Sequence, residues 1–161
     1  TEFLQYVKEW DVGAGTPIGD YFAIPRAKIF VADANGAASD PLIASAQSVL
    51  NTVRALGIKV DVIAAVAISH NWTASFVLNG AGPNYATLST DPQPIVDEMT
   101  KYIQDLDIGS GFNRAVAKAH MMDKFGPSGT NDLTNFTTTA PTGDVSTAAN
   151  EKLVPGTIGV I

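Results

Sequence analysis

Few residues in this chain have the type and spacing to do chemistry. His70 and His120 are the only histidines, and cysteine is absent. Without thiolates there is no disulfide framework, no thiol nucleophile and no cysteine-ligated zinc or iron–sulfur site. A metal bound by histidine would need carboxylates to complete its shell, yet no His-x-x-x-His or Glu-x-x-His spacing occurs. The Gly-x-Ser-x-Gly elbow of a serine nucleophile is missing as well. The acidic neighbours Asp97/Glu98 and Asp105/Asp107 are one and two positions apart, so they do not share a helix face and read as solvated surface. These residues supply no catalytic group, metal ligand or cofactor site, and the expectation is a protein that is not an enzyme.

One loop is an alternative. Residues Asp33–Ser39, DANGAAS, leave an apolar run and enter a helix start, the place where open α/β sheets bind ligands and backbone N–H groups favour anions. Asp33, Asn35 and Ser39 would be its ligand-facing side chains. Neither GxxxxGK[ST] nor GxGxxG is present. The stretch resembles the metal-adhesion loop of von Willebrand A domains, Asp-x-Ser-x-Ser after a buried strand. Here Asn35 and Ala37 replace both hydroxyl ligands, so no metal is carried over. A third reading is a secreted adhesive or glycan-binding module in which surface Trp72, Tyr85 and Asn84 stack on sugars. Two Asn-x-Thr triplets, at Asn71 and Asn135, carry no weight in a chain this rich in Asn, Ser and Thr.

The totals narrow the classes further. A chain of 161 residues suits one domain with a sizeable core. Only 16% of residues are charged, against roughly 25% in an average soluble domain; such surfaces are common where protein faces protein. The net charge is −6 and the ten basic residues are scattered. Arg26 with Lys28, and Arg114, Lys118 and Lys124, come nearest to a cluster, so direct binding of nucleic acid is not expected. The longest apolar run, Val62 to Ile68, is strand-sized and no membrane span is expected. The chain opens on Thr1 instead of Met, so the expectation is that something upstream was removed, cleaved or left outside this sequence.

The elements that must position these residues follow from apolar spacing. EFLQYVKEW at 2–10 predicts a short amphipathic start, and 11–25, with Gly13, Gly15, Pro17 and Gly19, a loop. RAKIFVAD at 26–33 predicts a strand buried on both faces. Asp40 and Pro41 then read as N-cap and first position of a helix whose stripe is Leu42, Ile43, Ala46, Val49, Leu50, Val53 and Leu56, stopped by Gly57. Residues 58–69 and 72–79 predict two strands joined by a turn at His70–Asn71, the second alternating Trp72, Ala74, Phe76 and Leu78 on one side. In the following loop, 85–88 predicts a short strand. Asp91–Pro92 starts a helix on Ile95, Val96, Met99, Tyr102, Ile103 and Leu106. The last helix is expected over 110–125, with Phe112, Ala115, Val116, Ala119, Met122 and Phe125 inward, stopped by Gly126–Pro127.

Residues 128–161 read differently: eight threonines and only four charges in 34 residues. Ordering such a segment costs roughly 1–2 kcal/mol per residue in backbone entropy, so it needs a surface to lie on. The expectation is an α/β or α+β fold: a body at 1–127 with one mixed sheet and about three packed helices, and an extended C-terminal arm at 128–161. The arm attaches to the body rather than completing its core, on a sheet edge of its own or of a neighbouring copy. Its contact residues would be Phe136, Thr137, Thr138, Thr139 and Pro141, then Leu153, Val154, Ile158, Val160 and Ile161. Together these features predict a structural subunit of a self-assembling particle, such as a phage or viral capsid or tail component or a surface filament. Its partners would be copies of itself or other structural proteins of that particle, in a virion or at the cell surface. A cytoplasmic location is compatible too.

Overall fold

A computed structural model describes residues 26–33, 36–53 and 58–161. The expected features at 2–10 and 11–25, Asn35 of the ligand loop, and the helix end at Leu56–Gly57 lie outside the described residues. The elements in chain order are β1 (Arg26–Asp33), β2 (Gly36–Ala37), α1 (Asp40–Val53), β3 (Lys59–Ala64), β4 (Val66–Leu78), α2 (Tyr85–Leu88), α3 (Gln93–Asp105), α4 (Arg114–Phe125), β5 (Leu133–Ala140) and β6 (Glu151–Val160). The strands form two three-stranded sheets, ordered β2-β1-β3 and β5-β4-β6. With the helices they make an α+β fold, as expected, but with two sheets in place of one. The described residues fall into two compact units, 26–30 with 39–63 and 31–38 with 64–161.

In the first unit, β1 and β3 are sheet neighbours bracketing α1 in sequence. The helix begins where Asp40–Pro41 placed it, with the Ile43 N–H on the Ser39 carbonyl at 3.0 Å. Its apolar stripe does not become core, and no residue of α1 is buried. A side-chain amide ties it to β3 instead. Gln47 Nε2 donates to the Val60 carbonyl (2.8 Å) and Gln47 Oε1 accepts the Val62 N–H (2.9 Å). The amide thus meets one backbone acceptor and one donor of β3, as a neighbouring strand would. The expectation that β1 is buried on both faces is corrected: Ala27, Lys28 and Ile29 are exposed, and Phe30, Val31 and Ala32 only half-buried. A three-stranded sheet with one described helix in its unit offers too little covering surface for a doubly buried strand.

The second unit holds the main core. At Ala65 the chain passes from β3 to β4: its N–H bonds the Val31 carbonyl (2.8 Å), whereas the Val66 N–H bonds the Asn150 carbonyl (2.8 Å). The single strand expected over 58–69 is therefore two. The hairpin expected at His70–Asn71 is absent, because β4 runs on through both residues to Leu78. Each has a use inside the sheet: His70 stacks on Phe112 (ring centroids 4.5 Å), and Asn71 Oδ1 accepts the Thr157 N–H (2.7 Å) where the ladder shifts register. β5 lies antiparallel to β4, pairing Phe76 with Phe136 and Leu78 with Leu133. β6 lies parallel on the other side, from Val66↔Glu151 to Ala74↔Val160.

One face of β4 carries His70, Trp72 and Ala74 into the core beneath α3 and α4, with Ile95, Met99, Ile103, Ala117 and Met121 supplied by the helices. Tyr85–Leu88 is one turn of helix, not the expected strand; the Leu88 N–H reaches the Asn84 carbonyl (2.9 Å), and Leu88 is buried. The last helix starts at Arg114, later than expected, after Asn113 caps Val116 N (3.0 Å). Its buried positions are Ala117 and Met121; Met122 and Phe125 pack against the core half-buried, as expected, while Ala115, Val116 and Ala119 face outward. Phe112 precedes the helix and is fixed by a two-way backbone pair with Val145 (2.8 and 2.9 Å). Without that bridge the helical phase read from Phe112 is displaced.

Candidate functional site

Eight of the ten tail residues singled out as contacts are strand residues of this sheet, with Pro141 just past β5 and Ile161 just past β6. Phe136 and Leu153 are fully buried in the chain's own core, and Thr138 is buried too. The buried indole of Trp72 donates to Thr138 Oγ1 (3.2 Å), while Thr139 and Thr134 hydroxyls donate to the carbonyls of Thr73 (2.9 Å) and Val77 (3.2 Å). Three threonines of the tail thus bond laterally to β4 through their side chains. Thr137 is exposed, Pro141, Val154, Ile158 and Val160 are half-buried, and Ile161 at the end is 80% exposed. The tail is extended, as expected, but it supplies both flanking strands of a sheet rather than resting on one.

In the Asp33–Ser39 loop the described residues make a short ladder with β1. Gly36–Ala37 turns back and pairs antiparallel with Ala32–Asp33. Gly36 adopts φ +127°, and a Cβ there would lie 2.7 Å from that of Ala67, so only glycine allows the approach to β4. Asp33 and Ser39 are both exposed and stand at opposite ends of this hairpin. The glycan reading loses its central aromatic: Trp72 has no exposed surface, packed edge-on to Phe112 (5.1 Å) and Phe136 (6.0 Å). Asn84 is tied to Asp132, leaving Tyr85 as the one exposed aromatic of that set.

Four polar clusters emerge from the second unit. The first centres on Asp132, whose buried carboxylate accepts the Asn84 N–H (2.8 Å), the Asn84 side-chain amide (2.9 Å) and the Thr130 hydroxyl. Burial opposes its ionisation, but these donors prevail and hold its carboxyl below the usual 3.8. Between Thr130 and Asp132, Asn131 takes φ +60°, a conformation asparagine tolerates better than most residues. The cluster pins the loop after β4 to the start of β5.

Lys152 makes the second. Its buried ammonium donates to the carbonyls of Gln104 (2.6 Å) and Leu106, placing a cation at the negative end of α3. The third surrounds a shallow cleft of about 350 Å³ at the start of α4, lined by Phe112, Asn113, Asp144, Val145 and Thr147 among others. Asp144 already fills the anion position there, accepting the Arg114 N–H (2.9 Å) and the Asn113 amide (3.0 Å). Arg114 turns its guanidinium to the carbonyls of Thr138 (2.6 Å) and Thr142 (2.7 Å). In the fourth, His120 Nε2 meets Glu98 Oε1 at 2.7 Å between α4 and α3, with Lys124 3.9 Å from the same oxygen and the Tyr102 ring against the imidazole (4.9 Å).

Chemically, all four clusters join elements of the chain. Among the described residues no three His, Asp or Glu side chains come together as a metal-holding group. The basic residues nearest to a cluster in sequence, Arg114, Lys118 and Lys124, engage carbonyls, the Asn135 side chain (3.1 Å) and Glu98. No described helix is long and apolar enough to cross a membrane. Sequence reasoning missed Gln47, Asp132 and Lys152. The signal for Gln47 was a lone amide inside an apolar helical stripe; Asp132 acts through Asn84, 48 residues away, as well as its neighbour Thr130, and Lys152 through partners 46–48 residues away, which no local pattern marks. No protein-family model matches this chain, and no curated protein matches it significantly.

Proposed function

We propose that this chain is a structural subunit of a self-assembling particle, a capsid or tail component or a surface filament, whose partners are copies of itself or companion structural proteins. The observation that carries the reading is α1. Leu42, Val49 and Val53 on its apolar stripe are 43%, 60% and 71% exposed, and the helix has a single charge, Asp40. A stripe of this kind favours burial at about 25 cal/mol per Å² of apolar surface removed from water. Uncharged helix faces of this sort cover one another without stranding an ion. Low surface charge and the structural employment of the polar clusters support the same reading over a ligand-binding enzyme.

Light scattering and electron microscopy of the full chain test it. The expected result is a defined multimer or lattice at micromolar concentration, reduced to smaller species by Val49→Asp combined with Val53→Asp. A monodisperse monomer at every concentration, in both proteins, would overturn it.

A further inference from the structure

His70 is the least explained polar residue in the core. It is 5% exposed in the middle of β4, stacked on Phe112, and its Nε2 is buried without a hydrogen-bond partner. A neutral imidazole can leave one nitrogen bare at modest cost. An imidazolium cannot, because it adds both a charge and a donor to a site with no acceptor. The ladder is weakest beside it. His70 pairs with Pro155, which has no N–H to donate, and the register then shifts before Trp72↔Ile158.

We propose that His70 is an acid-sensitive latch whose protonation frees the C-terminal half of β6, Pro155–Val160, from β4. The other walls of the site are better held. Phe112 is fixed by its two bonds to Val145, and β4 is the middle strand. The first half of β6 is anchored by buried Leu153 and by Lys152 on α3. The second half is an edge segment of exposed or half-buried residues, held beyond its ladder by the partial packing of Ile158 and Val160 on the core, by Asn71 Oδ1 on Thr157 and by the Ile161 N–H on the Ala74 carbonyl (3.0 Å). Moving this half is the cheapest way to bring water to the imidazole.

The charged and titratable groups on the surrounding elements are engaged elsewhere or lie away from the ring. Lys152 caps α3, Glu151 accepts the Ala148 N–H (2.7 Å), Arg114 holds two carbonyls, and Glu98 pairs with His120. The Tyr102 ring meets Trp72 at a tilt and Phe112 edge-on. Asp97, Lys101 and Asp105 of α3 are exposed, as is Asp33 beside β2; β5 carries no charge. Burial alone lowers the pKa of His70 below its usual 6.5. The sign follows: the unfolded or opened state takes up a proton first, so closure of the latch weakens as pH falls below about 6.5.

Hydrogen–deuterium exchange of the full chain near pH 7 and near pH 5, corrected for intrinsic rates, is the test. Amides of 156–160 are expected to lose protection about tenfold at the lower pH, while those of α3 keep theirs. In His70→Phe, which retains the ring stack, the difference should vanish. Unchanged protection of 156–160 in the parent chain, or the same loss in the variant, overturns the latch. If His70→Phe does not fold, an NMR titration of the parent decides: a His70 pKa at or above 6.5 sinks the proposal.

Discussion

At the scale of single residues, the buried ions are the sharpest points of the structure. Among the described residues no countercharge pairs with buried Asp132, which relies on three neutral donors. Because its pKa is depressed in the folded state, its contribution is fully present above the unfolded value near 3.8 and is lost as pH falls through the lower, folded value. Asp132→Asn should cost about 1.5–3 kcal/mol at neutral pH, the range for hydrogen bonds to a charged group. It should also flatten the acid limb below about pH 4; urea unfolding midpoints across that range check both. Lys152 behaves differently, since its partners are carbonyls. Lys152→Met keeps the buried stem but leaves the Gln104 and Leu106 carbonyls short of a donor. A loss of about 2 kcal/mol is expected, with exchange protection falling first at the end of α3.

Among the elements, α1 and β3 show how a side-chain amide can tie a helix to a sheet where Ile43, Ala46 and Leu50 are only half-buried. Gln47→Ala removes both bonds to β3 and leaves the Val62 N–H and Val60 carbonyl to water. The expected cost is about 1–2 kcal/mol, appearing as faster amide exchange at Val62, whereas Gln47→Glu should retain only the accepted bond from Val62. The same elements mark what was legible in the sequence. Periodicity located β1, α1 and α3 and the inward side of Trp72, Ala74 and Phe76, because each depends on spacing within one segment. It misread His70–Asn71 as a turn, since polar residues in mid-strand look like a break unless the partners Phe112 and Thr157 are known. The phase of α4 was misplaced for a similar reason: Phe112 is buried by its bridge to Val145 and not by the helix. The candidate site was less legible than the fold, because the polar clusters are built from residues far apart in the chain.

For the molecule as a whole, the decisive question is what the last 34 residues do for the rest. The sequence suggests a separable arm, able to be cut at Pro127 with the body left standing. In the structure, that cut removes both neighbours of β4, the buried side chains of Leu133, Phe136 and Leu153, and the Lys152 cap on α3. Truncating one buried Leu or Phe to alanine typically costs about 2–5 kcal/mol. Losing three, with every ladder bond of β4, exceeds the roughly 5–15 kcal/mol that holds a domain together. A chain ending at Pro127 should therefore lose the cooperative thermal transition of its second unit and expose Trp72, whose emission would shift to longer wavelength. A cooperative transition and a still-buried Trp72 in that fragment would return the tail to the role of an attachment. If the fragment unfolds as expected, its failure to assemble says nothing about interfaces. Assembly must then be probed on the intact chain, where α1 can be altered at Val49 and Val53 without touching a buried side chain.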